Sequence, residues 1–146
     1  LDGRGLVVRD LGGEIGRASA MKMVYASSTK GAFSLFAAVA VMAELTGLRD
    51  EIFAELAVSQ PHTMATIERM TPRIPLDAKR WIFEMDEIAS TYDAYGMTAH
   101  FHQGAADIMR LANKTPLAIE TRETAQDNRT LADVLQIYVD ALRGKS

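Results

Sequence analysis

The residues best placed to do chemistry stand near the start of the chain, in Gly13-Glu14-Ile15-Gly16-Arg17-Ala18-Ser19-Ala20-Met21-Lys22-Met23-Val24-Tyr25. A glycine-bearing turn there opens a helix, and a lysine follows on the second turn. At helical spacing Ser19, Lys22, Ala26 and Thr29 share one side. Small neighbours leave room for a ligand to approach the amine closely. A lysine on a rigid element can give or take a proton when desolvation makes its neutral form accessible. The same spacing also describes a surface lysine lying beside an apolar stripe.

Other polar residues invite weaker readings. His100 and His102 are two apart, so on a helix they diverge by about 200° and cannot share a metal. His100, Gln103 and Asp107 share a face. Trp81 with Met85 reads as packing. Glu84 and Glu87 read as a solvated or ion-paired face. Arg80 suits either a carboxylate ligand or a structural salt bridge. No metal-ligand spacing, P-loop or Ser-His-Asp order is present, and no Gly-x-Gly-x-x-Gly follows a strand within a β-α-β unit. With no cysteine, thiolate chemistry and disulfides are excluded. That count fits a reducing, cytoplasmic setting.

The elements that hold these residues are helical. Residues 5–8 form a short β-branched run ended by Gly12-Gly13, the signature of one strand and a turn. A lone strand leaves its backbone groups unpaired, so its partners are expected in sequence outside this chain. From Arg17 to Thr46 the chain is rich in Ala and Met. It predicts one long helix, bent near Ser27-Ser28 or Gly31. Its second half is apolar all round and predicts a central, fully covered element. Ala32 to Ala43 spans about 18 Å as helix, too short for the ~30 Å hydrocarbon core. Shorter helices follow: Asp50 to Val58; one from Pro61 with Met64, Ile67 and Met70 inward; and Leu76 to Tyr95, striped by Trp81, Met85, Ile88 and Ala89. Thr98 caps another to Asn113, with Phe101, Ala105, Ile108, Met109 and Ala112 inward. The last runs from Thr130 or Leu131 to Leu142. Thr71 to Pro75 reads as a loop. The fold expected is all-α, a multi-helix domain around one long central helix, preceded by a single residual strand of a dinucleotide-binding domain. Residues 1–15 belong to that strand and turn, and residues 16–146 form the helical domain.

The length of 146 residues suits one domain, and 48% hydrophobic with 24% charged residues is ordinary for a globular protein. A net charge of −3 without a basic run argues against nucleic acid as partner. No basic stretch followed by an apolar run marks a signal peptide or membrane anchor at the N-terminus.

The Gly13–Tyr25 segment resembles the opening of the C-terminal domain of β-hydroxyacid dehydrogenases, the group that includes 6-phosphogluconate and 3-hydroxyisobutyrate dehydrogenases. The family pattern is roughly Gly-x-Gly-x-x-x-Lys-x-x-Asn-Asn. Gly16 matches its first glycine, Ala18 replaces the second, and Lys22 matches the lysine. The closer similarity is to a phosphogluconate dehydrogenase-like, NAD-binding C-terminal branch, at Gly16, Ala18-Ser19-Ala20, Lys22-Met23, Thr29-Lys30-Gly31, Arg80-Trp81, Glu84-Met85 and Glu87-Ile88-Ala89. Tyr25 and Ala26 stand where the wider family has two asparagines, and Glu84-Met85 where it has a Lys-Asp pair. Recognition of substrate therefore differs from the family's usual manner.

The resemblance implies an oxidoreductase that uses NAD or NADP, held mainly by a preceding domain. It implies Lys22 as general acid/base and Gly16 in the cofactor-binding turn. Ser19, Lys30, Arg80 and His102 are the candidates to contact the substrate, a small hydroxy acid. The resemblance further implies a homodimer paired through these helices, with the domain alone inactive. The alternative is a non-catalytic helical dimerisation or ligand-binding module.

Overall fold

The computed structural model describes residues 5, 7, 10–125 and 128–144. Among them the chain is all-α, with six α-helices and no strand. The strand expected at residues 5–8 rests on Leu6 and Val8, which lie outside the described residues. Gly5 is in a turn and Val7 is exposed, in no regular element.

Helix α1 runs without interruption over Arg17–Thr46, as the sequence predicts. Gly16 precedes it with φ 96°, a left-handed conformation open to glycine. Gly47, at φ 70°, ends it, with Leu48 N–H donating to the Ala43 carbonyl and Gly47 N–H to that of Glu44. This is the glycine-terminated Schellman arrangement. The expected bend takes the form of a π-helical turn at Ser27–Gly31. Ser27, Ser28 and Thr29 each donate a side-chain hydroxyl to the carbonyl three residues back. Three consecutive hydroxyls compete with the backbone ladder where it widens.

Helices α2 (Arg49–Ser59) and α3 (Pro61–Met70) follow, with Pro61 in the first turn of α3. Helix α4 (Ile74–Ala94) and helix α5 (His100–Lys114) form an antiparallel pair joined at Gly96. A short 3₁₀ turn (Pro116–Ile119) leads toward α6 (Leu131–Leu142). Thr130 caps α6: its hydroxyl accepts from Asp133 N–H while the Asp133 carboxylate accepts from Thr130 N–H.

The core lies between α1, α3, α4, α5 and α6. Ala37, Ala40, Ile67, Ile74, Met85, Ile88, Met109, Leu135 and Tyr138 are wholly buried. By length and composition α1 would also cross a bilayer, but its Ala37 and Ala40 face are built into this core.

Four expectations need correction. The second half of α1 is not fully covered: Leu35, Val39 and Met42 form an exposed stripe at spacings of four and three. The loop after α3 closes by Arg73, because Pro75 sits in the first turn of α4, where its missing N–H costs nothing. The N-cap of α2 is Leu48, with Asp50 inside the first turn. On α5, Phe101 faces out and the buried neighbour is His102.

Candidate functional site

The residues singled out for chemistry fall into three places. The first is the free start of α1. Ser19 and Lys22 are exposed there, and of Arg17–Ala26 only Ala26 is buried. Gly16 is exposed, with nothing within 4 Å of where a side chain would begin. No ion pair engages Lys22 among the described residues. It lines neither of the two cavities described below.

The second place is a charge network around Trp81. Lys30, on the π turn, pairs with Glu84 across α4. Arg80 bonds the same carboxylate at 2.6 Å and Asp77 at 2.9 Å, and Arg122 reaches Asp77 at 3.5 Å. Lys30 Nζ and the Arg80 guanidinium each lie 5.9 Å from the centre of the Trp81 ring. Burial pushes the Glu84 carboxyl up, but the hydrogen bonds and charges of Lys30 and Arg80 outweigh it and hold the group below the usual range. Three cations thus share two carboxylates. The structure brings Lys30 and Arg80 together, and its salt bridges are the structural alternative the sequence left open for Arg80.

Beside this network, a cavity of about 750 Å³ is lined by Trp81 and by Arg69, Arg73, Arg122 and Arg129. Arg129 is held by Glu120 at 2.6 Å. The indole N–H of Trp81 is buried without a hydrogen-bond acceptor among the described residues.

The third place is a groove of about 450 Å³ between the second half of α1 and α5. His102 forms part of its floor and is 8% exposed. Its ring packs against Tyr92, edge to face, with centroids 4.3 Å apart. The Tyr92 hydroxyl meets Ser27 Oγ at 2.8 Å, tying α4 to the π turn. Nδ1 of His102 is buried and has no partner among the described residues. Desolvation lowers the imidazole pKa, so burial favours the neutral ring. A Cβ at position 31 would stand 3.7 Å from Nδ1, in ordinary van der Waals contact with the ring. His100, by contrast, is exposed and bonds Gln103 at 2.9 Å, as their shared face predicts.

Sequence reasoning missed Tyr92, Ser27 and Gly31 as the setting of His102. The run Ser27-Ser28-Thr29 carried a signal, since clustered hydroxyls disturb a helix. Among the described residues no group of His, Asp and Glu could hold a metal ion.

This all-α arrangement defines a helical domain with a long leading helix. A family model described as "Domain of unknown function (DUF1932)" matches residues 43–112, from the end of α1 through most of α5. No curated protein and no solved structure shows significant similarity to the chain.

Proposed function

We propose that this chain is the domain that completes the active site of an NAD(P)-dependent oxidoreductase acting on a hydroxy acid. Lys22, exposed in this chain, is its general acid/base once a preceding domain covers it and withdraws the amine from water. The observation that carries the reading is the start of α1. A left-handed glycine opens a 30-residue helix, and Lys22 stands exposed on its second turn while Lys30, two turns on, is committed to Glu84. Of the residues that carry the resemblance to 6-phosphogluconate dehydrogenase-like C-terminal domains, Arg80-Trp81, Glu84-Met85 and Glu87-Ile88-Ala89 fall within the matched residues 43–112, while Gly16 to Gly31 precede them, and that matched domain is the helical one of such proteins.

In this reading the dinucleotide is held mainly by a separate domain. Gly16 fits a minor role, as an exposed turn that a cofactor edge can approach. The nicotinamide, when bound, supplies the hydride acceptor. Lys22 takes the proton from the substrate hydroxyl, and returns it in the reverse direction. Ser19, one turn earlier, orients the same oxygen. Lys30, Arg80 and Arg122 against Glu84 and Asp77 leave one net positive charge in the network, which suits an acidic group of the substrate.

The homodimer belongs to the same proposal. Met21 and Val24 on the first half of α1, and Val39 and Met42 on the second, are large apolar residues left in solvent. A stripe of that kind marks a partner surface. The same stripe supports the second reading, a dimerisation module without catalysis. The two are separated by assaying the intact protein for NAD(P)H formation over a panel of hydroxy acids, then repeating the assay with Lys22→Ala. The oxidoreductase reading expects turnover that falls by about 10²–10⁴-fold in the variant with folding unchanged. No turnover with any substrate, or an unaltered rate in Lys22→Ala, removes it.

A further inference from the structure

The geometry points to the cavity beside Trp81, between the end of α3, the start of α4 and the segment leading to α6, as a binding site for a small organic phosphate held by Arg69 and Arg73. The inference goes beyond the oxidoreductase reading and does not rest on it, because Lys22 does not line this cavity.

The charges around the cavity do not balance. Arg69, Arg73, Arg122 and Arg129 line it against Glu68, Asp77 and Glu120, so four guanidiniums face three carboxylates and one net positive charge is left. That excess stands on a chain whose own net charge is −3. The pairing is uneven as well. Arg129 takes both oxygens of Glu120, at 2.6 and 3.1 Å. Asp77 is divided between Arg80 at 2.9 Å and Arg122 at 3.5 Å. Arg69 and Arg73 have no carboxylate partner among the described residues, and Arg69 donates only to the thioether of Met70, a weak acceptor. Both are exposed, so an anion reaches them without moving the core. Two like charges on one wall repel, and an anion placed between them removes that cost.

A phosphate monoester meets this demand. Its terminal oxygens and double negative charge match two planar guanidinium forks, each able to bond two oxygens at once. The cavity, at about 750 Å³, lies within the range of roughly 300–1,000 Å³ typical of small-molecule sites and is far larger than a phosphate alone. Met70, Leu76, Trp81 and Val134 supply apolar lining for the organic part. The ligand class is therefore a phosphate ester with a compact apolar or aromatic body.

The test uses phenyl phosphate, phenol and inorganic phosphate as probes. Trp81 is the one tryptophan of the chain, so its indole N–H gives a single NMR signal from the cavity wall. The probes are titrated into the intact protein while that signal and the Nε–H signals of Arg69 and Arg73 are followed. Expected is saturable binding of phenyl phosphate, about tenfold tighter than either other probe and weakened by added salt. The double variant Arg69→Gln/Arg73→Gln loses about tenfold in affinity with its urea midpoint unchanged. Arg69→Lys/Arg73→Lys, which keeps the charge without the forks, falls between the two. Lys22→Gln binds as the native protein does. Absence of saturable shifts at these three residues overturns the site, as does binding indifferent to salt. Equal affinity for phenol or for inorganic phosphate overturns the ligand class. Native affinity in the Gln pair removes the two arginines, and an equal loss in Lys22→Gln moves the anion to the start of α1.

Discussion

Lys30 and Glu84 join the π turn of α1 to the middle of α4, and both side chains are about four-fifths withdrawn from solvent, at 18% and 21% exposure. This ion pair crosses between elements more than fifty residues apart and anchors the one irregular turn of the longest helix. Arg80 then locks the same carboxylate from its own helix. Breaking a partly buried pair from one side leaves an uncompensated charge.

Glu84→Ala should therefore destabilise the protein by about 1–2 kcal/mol, less than a fully buried pair because some solvent remains. Lys30→Met in the same background should recover much of the loss, since it removes the stranded ammonium. Urea unfolding of both single variants and the double variant measures the coupling. Additive losses would show that the pair does not hold the turn.

His102 gives a pH dependence of defined sign. Its folded pKa is lowered by burial, so between the folded and unfolded values the unfolded chain binds more protons. Stability from this group is complete above the unfolded value of about 6.5 and falls as pH drops below it, by at most about 1.4 kcal/mol per pH unit. Below the folded pKa the slope from this group vanishes. Unfolding free energies from pH 7.5 downward should show the decline near ~6.5, and His102→Phe should remove that component. A native protein with flat stability through this window would place the imidazole in water.

The residues that could be read from the sequence, and those that could not, differ in what decides them. Met64, Ile67 and Met70, like Trp81, Met85, Ile88 and Ala89, are buried because one local period turns them toward a single face. The π turn in α1 was legible too, as an expected irregularity, since Ser27, Ser28 and Thr29 bring their own competing hydroxyls. Phe101 was misplaced because the inward position belongs to His102, whose ring fills the space beside Tyr92 of the neighbouring helix. No pattern within α5 encodes that space. The exposed stripe of α1 was misread for a related reason: an apolar side chain looks the same whether its partner is the core or another molecule. Among the site candidates, Lys30 and Arg80 were drawn together by Glu84 and Asp77. Ser19 and Lys22 stand apart from them, on the exposed start of α1.

Gly16 sets where α1 begins. Its φ of 96° lies where a Cβ is strained, although nothing else stands near the position. Its carbonyl accepts the Ala20 N–H at 2.8 Å, the first hydrogen bond of the helix. Gly16→Ala should cost about 1 kcal/mol of helix-start stability, with Gly16→Asn less affected because Asn tolerates the left-handed region. Hydrogen exchange at Ala20 and Met21 reads the fraying directly. Faster exchange in Gly16→Ala, with a smaller increase in Gly16→Asn, is expected, and under the oxidoreductase reading KM and kcat should follow the same order. Identical exchange in all three proteins would mean the helix start does not depend on this glycine.

The stripe of α1 makes the last prediction. Val39 and Met42 are 37% and 58% exposed, and both lie outside the α1–α5 groove. Two large apolar side chains one turn apart on a helix are costly to leave in water, and a symmetric partner can cover both at once. Val39→Glu and Met42→Glu place charges on that contact without entering the core. Sedimentation should show a dimer for the native protein and a monomer for the double variant, with the same helical content and unfolding midpoint at low concentration. A native monomer at concentrations well above micromolar would assign the stripe to some other partner. A double variant that stays dimeric would move the interface elsewhere on the domain.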